Sequence, residues 1–459
     1  MTPLPPRPEP LARLGFLRKI SLGSGDLAFN LYWQSSSLFL LYFYTDVLNV
    51  PATIAGTIYM AALIWDALID PAVGWAADRT RTRFGRYRPY LLFGAPLLAF
   101  AYAAMFFAPA MPGGGALVLI TVSHLLFRTI YAVVNIPYAS LFARVTRDSA
   151  QRADMAGARI LFAMIAGMLV SSSTLPLAGL LGGEDARRGW QILALIYGGL
   201  VVLILWQVAH AARGLDAPEP VAAERVAWRT ILASLVSNRP LHLALGVVVL
   251  SSIATTFFHK NIIYYFKYIY GDTDAATLAL TLSAGVTALA VPAWTWLART
   301  HGKRLAWASG MIVVAVGLIA WWFANGQGLV PLLCAITIIA AGMSANYICF
   351  WAVLPDTVEY GEWKTGVRTE SLIFGLVVLG QKAALGAAAG ALGVALDAIG
   401  YHANEAMTAA TVTGLRTMML VIPLGGILLS LLLIHFYRLS YAAHRQIVLD
   451  IAAREEAKA

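Results

Sequence analysis

Residues 64–89 read IWDALIDPAVGWAADRTRTRFGRYRP, and this stretch decides how the rest of the chain is interpreted. It opens as an apolar segment with two carboxylates, Asp66 and Asp70, which lie on one face of a helix because they are four residues apart. It ends in five arginines between positions 79 and 88, which are typical of a short cytoplasmic loop. The stretch therefore predicts a membrane helix that carries two acids and ends at a basic loop.

The composition predicts that the whole chain is embedded in a lipid bilayer. Of its 459 residues, 59% are hydrophobic and 12% are charged, whereas a soluble chain carries about 25% charged residues. The apolar runs are continuous, so they predict helical spans rather than strands that alternate at every second residue. We expect an all-α polytopic protein with about twelve transmembrane helices, each of about 20 residues.

The net charge of +9 does not indicate nucleic-acid binding, because the basic residues cluster in short loops between apolar runs. The two cysteines, Cys334 and Cys349, suggest neither a disulfide framework nor a metal site, although a disulfide between them stays open. We find no nucleophile–base pair, metal-ligand spacing or phosphate loop. An enzyme and a resident cofactor are therefore not expected.

The longest polar segment divides the chain near its middle. We predict a cytoplasmic tail over 1–19, a six-helix bundle over 20–212, a cytoplasmic loop over 213–240, a second six-helix bundle over 241–438 and a cytoplasmic tail over 439–459. The first helix is expected over 20–47 and the tenth over 329–354. This division is typical of transporters whose site lies between two halves at the midplane.

Asp66 and Asp70 are the strongest functional candidates. A carboxylate in a membrane span costs about 2.5–3.5 kcal/mol on insertion scales, so it needs a partner, a water-filled cavity or a cation. Two carboxylates on one helical face can share a Na⁺ ion, or hold one proton between them because like charges repel. The alternative is a structural pair that is hydrogen-bonded to neighbouring helices.

Polar side chains on two other helices are candidates for substrate binding. Asp26, Asn30 and Gln34 recur at every fourth residue and form one stripe on the first helix. Arg128, Tyr131 and Asn135 share one face of the fourth helix. Both faces could line a cavity for a hydroxyl-rich solute, and the alternative for the stripe is adhesion between helices.

The seventh helix contains FFHKNIIYYFKY at 257–268. Its Tyr264 and Tyr265 could stack on a sugar ring. The alternative is an aromatic belt at the membrane interface.

Several motifs resemble the glycoside–pentoside–hexuronide:cation symporters, the melibiose-permease-like branch of the major facilitator superfamily. They are the WDxxxDPxxGW core of 65–75 with its arginine loop, Gly25 followed by Asp26, NIPYASL at 135–141 and PDTVEYGEWKTGVRTES at 355–371. The resemblance covers nearly the whole chain. It implies a major facilitator fold and cation-coupled symport of a sugar or glycoside by alternating access.

The resemblance also implies roles for individual residues. Asp26 and Arg159 match positions near the family's sugar site, and Lys382 matches its intramembrane lysine. The alternative for Arg159 is an arginine at the membrane interface. Asp66 and Asp70 are natural partners for Lys382 because a buried lysine needs an acid. The alternative for Lys382 is a side chain that extends to the membrane interface.

A cytoplasmic gate is expected from two charged segments, which also have a plainer interpretation as topology signals and solvated loops. The gate residues are Asp78, Arg79, Arg83 and Arg86 in the loop after the second helix, and Asp356, Glu359, Glu362 and Arg368 after the tenth.

Three positions depart from the melibiose type, which has lysine, aspartate and tryptophan where this chain has Gly25, Asn135 and Ala139. Asn135 removes one negative charge from the cation site, so we expect H⁺ rather than Na⁺ as the coupling ion, with Asn135 still able to bond a hydroxyl or a cation.

We expect a functional monomer in a bacterial inner membrane, with both termini cytoplasmic. The alternatives are a carrier of lysolipids or other amphiphiles, and a membrane sensor that does not transport.

Overall fold

The computed structural model describes residues 14–107, 114–145, 149–215, 235–367, 370–437, 439 and 441–456. Within these residues the regular secondary structure is helical, apart from one isolated bridge between Thr82 and Gly85. The first seven helices are α1 (Phe16–Gly23), α2 (Gly25–Tyr42), α3 (Ala52–Arg79), α4 (Arg88–Phe106), α5 (Gly114–Val145), α6 (Ser149–Gly182) and α7 (Ala186–Ala211). The next seven are α8 (Arg239–Tyr265), α9 (Thr273–His301), α10 (Lys303–Ala324), α11 (Leu329–Thr365), α12 (Glu370–Ala398), α13 (Ala409–Phe436) and α14 (Tyr441–Glu456).

Eleven helices in the described part of the chain, α3 to α13, are long and apolar enough to cross a membrane. Helix α2 falls short of this because Asp26, Asn30, Gln34 and neighbouring serines lower its mean hydropathy. It nevertheless packs against α6 and α7 as a member of the same bundle. The chain is therefore a multi-pass membrane protein, and the predicted all-α polytopic fold is confirmed.

The long helices pack in two groups. Helices α2 to α7 contact one another, as do helices α8 to α13. The groups meet where α3 packs on α12, α6 on α9 and α2 on α8. Residues 216–234 of the α7–α8 connection lie outside the described residues, so the boundaries of the two bundles stay predictions.

The contact between α3 and α12 is close because glycines face it. A Cβ atom added to Gly393 would lie 2.2 Å from the carbonyl oxygen of Ala52, and one added to Gly56 would lie 2.7 Å from that of Ala389. Small residues let the backbones of membrane helices approach in this way. The interface therefore depends on the absence of side chains at these two positions.

Three elements differ from the sequence-based expectation. The first helix begins at Phe16 and breaks at Ser24, rather than running unbroken from residue 20. Helix α11 continues through Pro355 to Thr365 instead of ending at Leu354, and α14 lies within the predicted tail. The last turn of α11 packs on α14, where the indole of Trp363 donates to Asp450 over 3.1 Å. These packing contacts extend the helix beyond the point that local sequence predicts.

The helices α2 and α8 both end in a π-helical turn, Phe43–Val47 and Phe266–Tyr270. We call the end of the bundle that holds these turns the Asp46 face. The opposite end, which holds Arg86, Lys303 and His444, is called the Arg86 face.

Candidate functional site

A cavity of about 600 Å³ lies between the two groups of helices. This volume falls within the range of about 300–1,000 Å³ that is usual for small-molecule sites. Helices α2 and α6 contribute one wall, and α8, α9 and α11 contribute the other. Its polar lining residues are Asp26, Asn30, Gln34, Arg159, Ser171, His259, Ser283, Thr287, Ser344 and Tyr347.

Asp26 and Arg159 form a forked ion pair in this cavity. Nε of Arg159 lies 2.5 Å from Oδ2 of Asp26, and the second guanidinium contact is 3.2 Å to Oδ1. The hydroxyl of Tyr138 donates to the same Oδ2 over 2.8 Å. A Cβ atom on Gly25 would lie 2.4 Å from the Tyr138 ring, so the glycine allows this contact. Bidentate pairs of this kind hold a carboxylate in a fixed orientation.

The other two members of the predicted stripe also line the cavity. The amide of Asn30 donates to the carbonyl oxygen of Asp26 over 2.9 Å. Gln34 and Trp33 lie one turn further along the same wall. Side-chain amides both donate and accept hydrogen bonds, so this wall suits a solute with hydroxyl groups.

His259 and Ser283 form a polar pair on the opposite wall. Nδ1 of His259 contacts the carbonyl oxygen of Thr255 at 3.2 Å, so it carries the hydrogen and donates. Nε2 then accepts from the Ser283 hydroxyl over 3.1 Å. Sequence analysis did not assign His259, Ser283 or Tyr347 to the site, because the polar residues around them in the chain do not show which of them faces the cavity.

Asp66, Asp70 and Lys382 meet at the interface between α3 and α12, and we call them the coupling cluster. Nζ of Lys382 lies 2.5 Å from Oδ2 of Asp70 and 3.0 Å from Oδ2 of Asp66. Asp66 is fully buried, and neither of its oxygens accepts a hydrogen bond from a described residue. Two carboxylates and one ammonium give the cluster one excess negative charge. The structure thus brings together three residues that are far apart in sequence.

The predicted face of α5 lies behind the cavity wall. Arg128 is 1% exposed, and its guanidinium lies 5.3 Å from the ring centre of Trp33. The hydroxyl of Tyr131 lies 3.5 Å from the carbonyl oxygen of Phe29. Asn135 is half-buried and forms no hydrogen bond with another described side chain. Trp33 thus separates this face from the cavity in the present conformation.

Contacts across the two groups of helices close the Asp46 face. Oδ1 of Asp46 accepts from Nζ of Lys267 over 2.6 Å and from the hydroxyl of Tyr268 over 2.5 Å. Its Oδ2 accepts from Tyr401 over 2.6 Å, and Asn404 donates to its carbonyl oxygen over 2.9 Å. Burial, reinforced by Tyr264 and Asp46, raises the pKa of the Tyr401 hydroxyl above its ordinary value, so this donor keeps its proton.

The structure places Tyr264 and Tyr265 away from the cavity wall, so it does not support their predicted contact with a sugar in this conformation. The hydroxyl of Tyr264 lies 2.9 Å from that of Thr45 on the closed Asp46 face. Tyr265 donates to Asn325 over 2.7 Å. The buried contacts of these rings explain the difference, because both rings pack between helices.

At the Arg86 face, the charged residues of the first predicted gate segment have local partners. Tyr87 donates to Asp78 over 2.8 Å, and Arg79 lies 4.0 Å from the ring centre of Trp75. Arg83 lies 4.8 Å from the ring centre of Phe84, whereas Arg86 is buried.

Two acids of the second predicted gate segment pair with residues of α10 and α14. Lys303 lies 2.8 Å from Asp356, and His444 contacts Glu359. Glu362 is half-buried near the end of α11, and Arg368 lies outside the described residues. A gate that joins the two segments therefore stays a prediction.

Comparison with known proteins identifies one family whose model matches most of the chain. A family model described as MFS/sugar transport protein matches residues 21–441. The chain is 30% identical to YnaJ, an uncharacterized symporter of Bacillus subtilis (strain 168), over 98% of this chain and 97% of the relative. It is 29% identical to the isoprimeverose transporter of Lactiplantibacillus pentosus, over 92% of this chain and 88% of the relative. It is also 29% identical to the glucuronide carrier protein homolog of Escherichia coli (strain K12), over 94% of each.

Solved structures agree at the level of the fold. A bacterial homolog of the human lysosomal transporter Spinster superposes with a TM-score of 0.70 at 14% identity, covering 95% of this chain and 99% of that one. The nucleoside transporter NupG superposes with a TM-score of 0.64 at 12% identity, covering 92% and 99%. The chain therefore belongs to the MFS/sugar transport protein family, and it is a transporter of the glycoside–pentoside–hexuronide symporter type rather than an enzyme.

Proposed function

We propose that this protein imports a sugar or glycoside together with a cation by alternating access, with H⁺ favoured over Na⁺. The observation that carries the proposal is the bridge from Lys382 to Asp66 and Asp70, which joins the two groups of helices next to a polar cavity. A ligand shifts a conformational equilibrium only through its different affinities for the two states. A bridge that a cation can weaken supplies such a difference.

The excess negative charge of the coupling cluster explains why it would take up a cation. One proton on a carboxylate neutralises the cluster and weakens the hold on Lys382. A proton fits this geometry better than Na⁺, because the Lys382 ammonium already lies within 3.0 Å of both carboxylates. Breaking the bridge would then allow α3 and α12 to move relative to each other.

The cavity supports a hydroxylated substrate. Its first wall carries a fixed carboxylate–guanidinium pair, two amides and the indole of Trp33. Sugars offer hydroxyl groups for the polar side chains and apolar ring faces for an aromatic ring. The names of the isoprimeverose transporter and the glucuronide carrier homolog support the same class. A lysolipid carrier is less well supported, because this wall is polar.

The orientation of the protein in the membrane follows from the distribution of its basic residues. The loops at the Arg86 face carry most of the basic residues, and cytoplasmic loops are enriched in lysine and arginine. We infer that this face and both termini are cytoplasmic, and that the membrane is a bacterial inner membrane. The closed Asp46 face then lies on the outer side.

Transport into proteoliposomes tests the proposal. Labelled glycosides, disaccharides and hexuronides would be offered under an inward H⁺ gradient, and separately under an inward Na⁺ gradient at constant pH. We expect accumulation under the H⁺ gradient alone. Accumulation driven by Na⁺ would refute the choice of ion, whereas binding without flux would favour a sensor. Transport of lysolipids but of no sugar would refute the substrate class.

A further inference from the structure

Two buried cations near the cavity have no carboxylate partner. Arg128 on α5 is 1% exposed, and Lys260 on α8 is 5% exposed. Neither forms an ion pair with any described carboxylate, whereas Arg159, Lys267 and Lys382 all do. Charged side chains within a membrane are costly and are retained where they pair or bind a ligand.

The surroundings of these cations are neutral. The Lys260 ammonium donates to the carbonyl oxygen of Ser37 and lies 4.2 Å from the ring centre of Tyr59. Nε of Arg128 contacts Nε2 of His124 at 3.4 Å, and this nitrogen must accept, so His124 is neutral. Nη1 of Arg128 is buried and has no hydrogen-bond partner among the described residues.

The charges around the cavity and the coupling cluster are therefore unbalanced. There are three carboxylates and four cations, which gives a net charge of +1. Arg128 and Lys260 contribute two positive charges, and the excess negative charge of the coupling cluster offsets only one of them. One further negative charge, placed near these two side chains, would balance it.

Both cations lie one layer behind the cavity wall. Arg128 packs against Trp33, which lines the cavity. Lys260 contacts the carbonyl oxygen of Ser37, the residue before Leu38 of the cavity wall. The Lys260–Ser37 contact also joins α8 to α2, so it belongs to the contacts between the two groups of helices. Separation of these helices at the Asp46 face would release the ammonium and widen the cavity toward Arg128.

We propose that Arg128 and Lys260 bind the acidic group of an anionic sugar, a carboxylate or a sulfonate, when the Asp46 face opens. Arginine holds such groups through two parallel N–H bonds, and lysine adds a compact positive charge. Trp33 and Tyr59 offer ring faces beside the two cations. This inference rests on the proposed sugar symport and narrows its substrate to sugar acids.

Paired ligands test the proposal on the full-length protein in lipid nanodiscs. Binding of D-glucuronate, D-galacturonate and methyl glucuronide would be compared with binding of D-glucose, D-galactose and methyl glucoside. We expect at least one acid to bind roughly tenfold tighter than its neutral counterpart. Lys260→Gln should remove that preference, whereas Lys260→Arg should retain much of it. Lys364→Gln is the control, since Lys364 is an exposed cation on the Arg86 face.

The outcomes separate this proposal from the symport itself. If neutral sugars bind as tightly as the acids, and Lys260→Gln weakens both equally, the anion site is refuted while sugar symport stands. If chloride alone stabilises the protein through Lys260 and no sugar acid competes with it, the site takes inorganic anions and the proposal is also refuted. If no sugar of either kind binds or is transported, the proposed function fails. A second variant, Arg128→Lys, tests the other cation of the site. The melting temperature of each variant without ligand shows whether it is folded.

Discussion

Lys382 of α12 reaches across the interface between the two groups of helices and places its Nζ atom 2.5 Å from Oδ2 of Asp70 on α3. The same ammonium lies 3.0 Å from the fully buried Asp66. One lysine therefore bridges two acids. Under the proposed symport, a cation that binds to these acids would compete with Lys382, which would couple ion binding to the packing of α3 on α12.

We predict that Asp70→Asn abolishes accumulation of sugar against its gradient but keeps exchange of sugar across the membrane. The amide cannot take up a proton, so the H⁺ gradient loses its effect on the Lys382 bridge. Counterflow and gradient-driven uptake in proteoliposomes measure the two activities separately. Asp154→Asn is the control, because Asp154 is exposed and pairs with Lys19 away from the coupling cluster. Normal accumulation by Asp70→Asn would contradict the coupling role.

We predict that Asp26→Asn weakens sugar binding by about tenfold to a hundredfold, because a charge-assisted hydrogen bond contributes about 1.5–3 kcal/mol. The substitution releases Arg159 from a fork that fixes its orientation. Tyr138→Phe removes one neutral donor to the same oxygen and should have a smaller effect. Titration of the purified variants with the transported sugar measures both. Equal affinities in all three proteins would exclude Asp26 from the sugar site.

We predict that Asp46→Asn opens the Asp46 face more often. The substitution removes the charge that Lys267, Tyr268 and Tyr401 all contact. A cysteine at Thr45, in a background without Cys334 and Cys349, should react faster with a membrane-impermeant maleimide. The expected increase is about fivefold or more, for a loss of about 1 kcal/mol or more in the closed state. Glu405→Gln is the matched control, because Glu405 is an exposed acid on the same face.

We predict that Gly393→Ala destabilises the closed state through a steric clash, without any change of charge. Its methyl group would lie 2.2 Å from the carbonyl oxygen of Ala52, so α3 and α12 must separate. Maleimide labelling at position 45 should rise, and the melting temperature should fall. Gly425→Ala on α13 is the control, since nothing lies within 4 Å of the added methyl group. Alanine there should stabilise the helix by about 0.8–1.0 kcal/mol. Similar behaviour of the two variants would refute the steric argument.

The membrane fold and the residues of the coupling cluster could be predicted from the sequence. Helical spacing puts Asp66 and Asp70 on one face, and a lysine in an apolar helix calls for an acid, so their association could be predicted without coordinates. The polar stripe of Asp26, Asn30 and Gln34 on α2 is also predictable, because the spacing of its residues is a local property of the sequence.

Contacts that depend on tertiary packing could not be found in this way. His259 and Ser283 come from different helices, and nothing in the sequence around either residue shows that they contact each other. Tyr264 has the same local context whether it faces a sugar or seals the Asp46 face against Thr45. The direction of each side chain is decided by how the helices pack, which local spacing does not specify.

The two π-helical turns have a consequence for how the Asp46 face is held together. They end the first long helix of each group, so each group contributes one turn to this face. The turns carry opposite charges, because Phe43–Val47 contains Asp46 and Phe266–Tyr270 contains Lys267, whose Nζ lies 2.6 Å from Oδ1 of Asp46. The attraction therefore needs one turn of each kind, and two turns that carried the same charge would repel each other at this place.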